Sequence, residues 1–403
     1  MAPAMVRNLL AALSLCVCAN SSLAEGSMSL CVRDPTQMPK SWLPPADMKK
    51  LPNPAPWTAA EAKDAEYAIR TGLDEMIGYF ERKPSAVLSL WGDSIEALMQ
   101  VTYASANDRA FDEKVRDASR KNLTMLINYH LKRKPKAKFV TCDDFERLLP
   151  LAIFAQRLYP RKDPRTVEVT QRTNASMRKC DSLEDAIGDD HHKILADKYA
   201  SPAALLELYI WALWFIEAEL FPAIELPDEA HAYAPALWKY LLSYRLADAE
   251  EFPEGAWDEG FIAVADLAPH IAHIPTGTHR FPIYVQDWPR LYQWHRQNFY
   301  DVLQVGELDL VASVVDTLRQ YGCTAENDVQ VRDGTRYLLK VFHAGNDSWT
   351  DYRMDGETDA NIDDYGLIHY PWTSVLGVRV RKFEEPNAGN IGGLVRRWIP
   401  PPR

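Results

Sequence analysis

Runs that alternate apolar and polar residues are almost absent from this chain of 403 residues, so strands are at most a minor feature. No glycine-rich phosphate loop, serine nucleophile elbow or Cys-x-x-Cys pair occurs, which argues against ATP and hydride-transfer cofactors. Positive charge is in deficit. Lys plus Arg number 45 against 56 Asp plus Glu, a formal net charge of -11. A nucleic-acid partner is therefore not expected, because it would need a cationic face that displaces phosphate counterions. No apolar run is long enough to span a bilayer without charges. Cysteine is sparse, with six in all, and the spacing is too scattered for a structural zinc knuckle.

What is present begins with a distinct leader. Leu9–Ala19, "LLAALSLCVCA", follows a single positive charge at Arg7 and precedes Ser22-Leu23-Ala24. Small residues at those positions predict a secretory signal over 1–24, cleaved after Ala24. Such a mature chain is periplasmic or secreted and has no transmembrane segment. It keeps Cys31, Cys142, Cys180 and Cys323, enough for two disulfides in an oxidising compartment. The expected pairs are Cys142 with Cys180 and Cys31 with Cys323; free buried thiols are the alternative. Residues 25–57 form a proline-rich arm, with Pro35, Pro39, Pro44, Pro45, Pro52, Pro54 and Pro56, extended because proline fixes φ and removes a donor.

From Thr58 the pattern is helical. Apolar residues make up 47% of the chain, ample for a large core. Thr58-Ala59-Ala60-Glu61 is a capping box, and the helix it opens runs to about residue 83. A second follows Pro84-Ser85 to about Tyr103. Further helices are expected near 107–131, 142–159, 164–178, 182–199, 202–222, 228–246, 256–273, 287–304, 308–321, 326–343 and 364–381. Ser201-Pro202 opens a helix apolar nearly all round, so it needs neighbours on every side. The fold class is all-α. About a dozen paired helices point to an α/α toroid over 58–385, with 386–403 as a C-terminal tail; an irregular α-solenoid or bundle is the alternative.

Residues 334–349, "GTRYLLKVFHAGNDSW", carry Gly334, Tyr337, Leu338 and Trp349 in an ordered pattern. This resembles the QW repeat of the terpenoid-cyclase and protein-prenyltransferase superfamily, with His343 in place of the glutamine and Asp347 in place of the second glycine. The resemblance covers roughly residues 320–381 and implies a toroid of paired helices, as those families have. Class II terpene cyclases also carry Asp-x-Asp-Asp, whose middle aspartate protonates the substrate. Asn361-Ile362-Asp363-Asp364 comes close, but Asp363 and Asp364 are more simply helix N-terminal residues that answer the dipole.

Two constellations could carry chemistry. In "HIAHIPTGTH", residues 270–279, His270 and His273 share a helix face and His279 follows a loop that could fold back. Neutral imidazoles so placed could share zinc or another divalent metal; the other reading is helix C-terminal histidines at the negative dipole end. In "GDDHH", residues 188–192, Asp189 and His192 lie three apart on a helix face and form either an acid–imidazole pair or a solvated surface. Downstream, Arg280, Tyr284 and Trp288 sit in an aromatic, arginine-rich run suited to a carbohydrate or other ring-bearing small molecule, or to anchoring an irregular connection. The expectation is an exported lyase or hydrolase of an envelope or extracellular polymer. His192, His270 or His273 would be the base, oriented by Asp189 in the first case, with a tyrosine such as Tyr284 as acid and Arg280 as charge stabiliser. A non-catalytic binding or scaffold protein of the envelope is the alternative.

Overall fold

The computed structural model describes residues 31–45, 48, 55–106, 108–134, 136–354, 357, 358, 360, 362–386 and 391–397. The leader over 1–24 lies outside the described residues, as do 25–30, 46, 47 and 49–54 of the arm, Asn361 of the acidic motif, and 387–390 and 398–403 of the tail. Among the described residues all regular structure is helical and no strand occurs.

Local signals set the helix starts. Thr58 caps α1 (Ala59–Arg82) reciprocally with Glu61, satisfying two amides that the first turn cannot. α2 (Pro84–Leu90) and α3 (Asp93–Val101) follow as two pieces, separated at Trp91-Gly92. Next come α4 (Arg109–Arg133), α5 (Phe145–Leu158) and α6 (Pro164–Met177). The helix expected over 182–199 is instead α7 (Leu183–Ile187) and α8 (His191–Ala196), because Gly188 takes a φ of 79° and turns the chain. α9 (Pro202–Ala218) starts at Ser201, whose hydroxyl accepts from the Ala204 amide, with Pro202 in the first turn where no donor is required. α10 (Asp228–Leu241) follows.

α11 (Glu259–Thr276) differs from expectation at its C-terminal end. It runs through both Pro269 and Pro275 rather than stopping near His273. Each proline keeps a helical φ and deletes one ladder bond, and both are buried among apolar neighbours that offset the loss. Gly277, at φ 54°, ends the helix. The run expected over 287–304 divides at Asn298 into α12 (Pro289–Gln297) and α13 (Phe299–Val305). α14 (Leu308–Gln320), α15 (Val329–Ala344), α16 (Asp364–Gly377) and the short α17 (Ile391–Arg396) complete the chain.

Helices pack in a cyclic order of neighbours. α3 lies on α4, α4 on α5, α5 on α9, α9 on α11, α11 on α14, α14 on α16, and α16 back on α3. α6, α10, α15 and α1 pack against α5, α9, α14 and α16 respectively. Small residues bring some axes close: a Cβ on Gly377 would stand 3.0 Å from the Ala312 Cα, so α14 and α16 meet nearly backbone to backbone. In the 334–349 segment, Gly334 leaves no room for a Cβ beside Val315. Trp349 is fully buried, donates its indole N–H to the Leu338 carbonyl at 3.0 Å and packs on Phe342. The segment therefore closes α15 on itself and against α14.

Cys31 with Cys323 and Cys142 with Cys180 lie at disulfide distance, with Cα–Cα separations of 5.4 and 4.9 Å. No helix among the described residues is long and apolar enough to cross a membrane.

Candidate active site

Five helices turn a polar stripe toward one recessed cavity of about 150 Å³. Each stripe follows helical spacing: Asp93, Glu96 and Gln100 on α3; Tyr209, Leu213 and Trp214 on α9; His270 and His273 on α11; Asp309, Ser313 and Asp316 on α14; Tyr365, His369 and Trp372 on α16. His279, just beyond α11, completes the wall. The apolar face expected to bury α9 on all sides is thus interrupted, and Ile210 is 46% exposed there.

The α3 wall is acidic and kept partly protonated. Burial raises Asp93 to about 6, against the pull of the His369 charge. Burial and then the like charge of Asp93 raise Glu96 to about 7, opposed by Arg157 and by a hydrogen bond from Gln100. That bond is oriented from behind. The Trp372 indole can only donate, and it holds the Gln100 oxygen at 2.8 Å. The Gln100 amide nitrogen is thereby directed at Glu96, 2.7 Å away.

The opposite wall is built of imidazoles. His270 Nδ1 lies 2.6 Å from the Asp266 carbonyl and 3.3 Å from its carboxylate. A carbonyl only accepts, so Nδ1 carries the proton and Nε2 of the neutral ring is the acceptor. His273 Nδ1 is 3.0 Å from the Tyr209 hydroxyl, while its buried Nε2 has no partner among the described residues. Burial, then the neighbouring His279, His270 and His295, hold His273 well below the usual imidazole range. Burial also lifts the Tyr209 phenol far above its ordinary value, so this pair is neutral. His279 donates from Nδ1 to Asp316 at 2.6 Å, and its ring lies 4.1 Å from that of His273. Burial alone would raise Asp316, but the His279 hydrogen bond, the Arg379 charge and Gln320 outweigh it and keep the carboxyl low. Thr278 and His279 both hold positive φ, 52° and 68°, a strained pair that folds His279 back over His273. On α16, Tyr365 stacks on His369 with ring centroids 4.5 Å apart, and His369 Nδ1 is 3.5 Å from Asp309.

Of the residues singled out from sequence, His270, His273 and His279 meet at this cavity. His192 does not: it lies on α8, 2.9 Å from Glu229 and largely exposed, with the half-buried Asp189 just before that helix. Arg280 points elsewhere, against Tyr103 and Phe281 and 3.2 Å from Glu384. Tyr284 is 38% exposed and outside the lining. Asp363 caps α16 through the Gly366 amide, and Asp364 is held by Tyr79, Lys83 and Ser89, so both serve the helix start. Sequence reading missed Asp93, Glu96, Tyr209, Asp309, Asp316, Tyr365 and His369. Their signal was polar residues at i, i+3, i+4 and i+7 on helices otherwise apolar enough for the core. As for metal, no group of three or more His, Cys, Asp or Glu ligand atoms in this cavity lies close enough to hold an ion, among the described residues.

No family model, no curated protein and no solved structure matches this chain.

Proposed function

We propose that this chain is an exported hydrolase, built as an α/α toroid, which cleaves a glycosidic linkage at the end of a neutral or aminated carbohydrate. The toroid reading rests on the cyclic order of α3, α4, α5, α9, α11, α14 and α16, backed by α1, α6, α10 and α15. A partial likeness of residues 334–349 to the QW repeat agrees with it. Export is supported by the two cysteine pairs at disulfide distance.

The observation that carries the function is the meeting of Glu96 and the Asp266–His270 pair around one recessed space rimmed by Tyr209, Trp214, Tyr365 and Trp372. Glu96, protonated up to about pH 7, gives its proton to the leaving oxygen. His270, its tautomer set by Asp266, accepts a proton from the attacking water. Aromatic faces stack on a sugar ring. The size selects the mode: 150 Å³ is below the ~300–1,000 Å³ typical of larger ligands, so a terminal ring fits better than the middle of a polymer.

Charge selects between hydrolase and lyase. The lining carries Asp93, Glu96, Asp309 and Asp316, and no Lys or Arg among its described residues. A polyuronate, the usual lyase substrate type, would meet Asp309 and Asp316 with no lysine or arginine in the lining to pair its carboxylates. The test is turnover of neutral, amino-sugar and uronate oligosaccharides by the wild-type chain, Glu96→Gln and His270→Ala. Release of reducing ends from neutral or amino sugars, lost in both variants, is expected. Turnover of uronates alone, or no dependence on Glu96, would overturn the reading.

A further inference from the structure

The acid–histidine cluster at residues 184–192 lies apart from the cavity, and the hydrolase reading leaves it unused. Three elements bring it together. Glu184 comes from α7, His191 and His192 open α8 after the Gly188 turn, and Glu229 lies in the first turn of α10. Ligand atoms of Glu184, His191 and His192 all lie within 4.8 Å of one another. Glu229 Oε1 adds a fourth, 2.9 Å from His192 Nε2 and 3.8 Å from His191 Nε2.

Two features go beyond a chance meeting of surface charges. Consecutive side chains on a helix diverge and do not face each other, yet the rings of His191 and His192 stand 4.1 Å apart at 33°. Further, His191 is 2% exposed and makes no side-chain hydrogen bond among the described residues; Nδ1 is buried without a partner, and Nε2 looks toward Glu229 beyond hydrogen-bond range. Tyr233, 4.8 Å away, fixes the ring from the core side. A buried imidazole with an unsatisfied nitrogen is rare unless something outside the protein completes it.

We propose that Glu184, His191, His192 and Glu229 form a binding site for a single borderline divalent cation of the zinc class. Two imidazoles and two carboxylates suit zinc in a tetrahedral shell. The side chains of His192 and Glu229 are 69% and 41% exposed, so they are free to rearrange around an ion.

The test uses the full chain with its cysteine pairs oxidised, stripped with EDTA and titrated calorimetrically with Zn²⁺, then with Ca²⁺. One Zn²⁺ per chain is expected, with a raised melting temperature and no comparable Ca²⁺ binding. His192→Ala and Glu229→Gln, both at exposed positions, should weaken Zn²⁺ at least tenfold while the metal-free proteins melt as wild type. His270→Ala, which alters only the cavity, should keep this binding event. Failure of the wild type to bind Zn²⁺, equal affinity for Ca²⁺, unchanged binding in His192→Ala, or its loss in His270→Ala would each overturn the proposal. None of these readouts depends on carbohydrate turnover.

Discussion

Arg296 and Asp328 form a two-pronged pair inside the protein: Nη1 and Nη2 each lie 2.8 Å from a separate carboxylate oxygen, and neither side chain is more than 1% exposed. Asp328 also accepts from the Val331 amide at the start of α15 and from the Val32 amide of the N-terminal arm. Arg296 reaches Gln330 and the Cys323 sulfur as well. One carboxylate thus joins the arm, α12 and α15. Asp328→Asn should lower unfolding free energy by about 3–5 kcal/mol, because it strands a buried guanidinium. Replacing both partners, Arg296→Met with Asp328→Leu, should recover part of that loss. Urea denaturation of the three proteins measures both effects.

Glu96 predicts a pH-dependent stability with a definite sign. Its folded-state pKa, about 7, is above the ordinary 4.5, so the folded protein holds this proton more tightly than the unfolded chain. The associated stability is complete below pH 4.5 and is lost as pH rises through 7. Glu96→Gln stays neutral throughout. Its stability relative to wild type should grow between pH 4.5 and 7.5 by roughly 1–3 kcal/mol and then level off. A difference that stays flat across thermal melts in this range would contradict the assignment. In turnover assays the same variant should lose about 10²–10⁴-fold, the usual weight of a positioned acid.

Gly334→Ala places a methyl group inside the contact distance of Val315 and 3.1 Å from Phe299. α14 and α15 must then separate or repack, at a cost of about 1–3 kcal/mol. Differential scanning calorimetry should register a lower melting temperature. An unchanged one would mean that the helix pair gives way more easily than its packing implies.

Helix starts were legible because their causes are local. The Thr58–Glu61 box and the Ser201-Pro202 start complete their hydrogen bonds within three residues, and short-range patterns report such contacts directly. Helix ends and breaks were less so. Nothing in the local pattern distinguishes Pro269 and Pro275, which α11 absorbs, from a proline that stops a helix; burial decides, and burial depends on the rest of the fold. The site divides in the same way. His270 and His273 share a turn and could be paired on paper, whereas Glu96 meets them only because residues more than 170 positions apart pack across one space. His369 sat unremarked in "GLIHYPW" for that reason.

The Cys142–Cys180 pair spans 38 residues. Closing a loop of that size restricts the unfolded chain by about 4 kcal/mol in the chain-entropy account. Cys142→Ser with Cys180→Ser should therefore lower unfolding free energy by about 2–4 kcal/mol, read from urea curves with the other pair intact.

The Cys31–Cys323 bond, 292 positions apart in sequence, has an effect of another kind. With it in place, denaturant releases a lasso instead of a free strand, and every helix from α1 to α14 lies on the noose. The expanded oxidised chain should sediment faster and elute later from a sizing column than the same chain after reduction. Tension applied between residues 31 and 323 would fall on sulfur before it reached any helix contact.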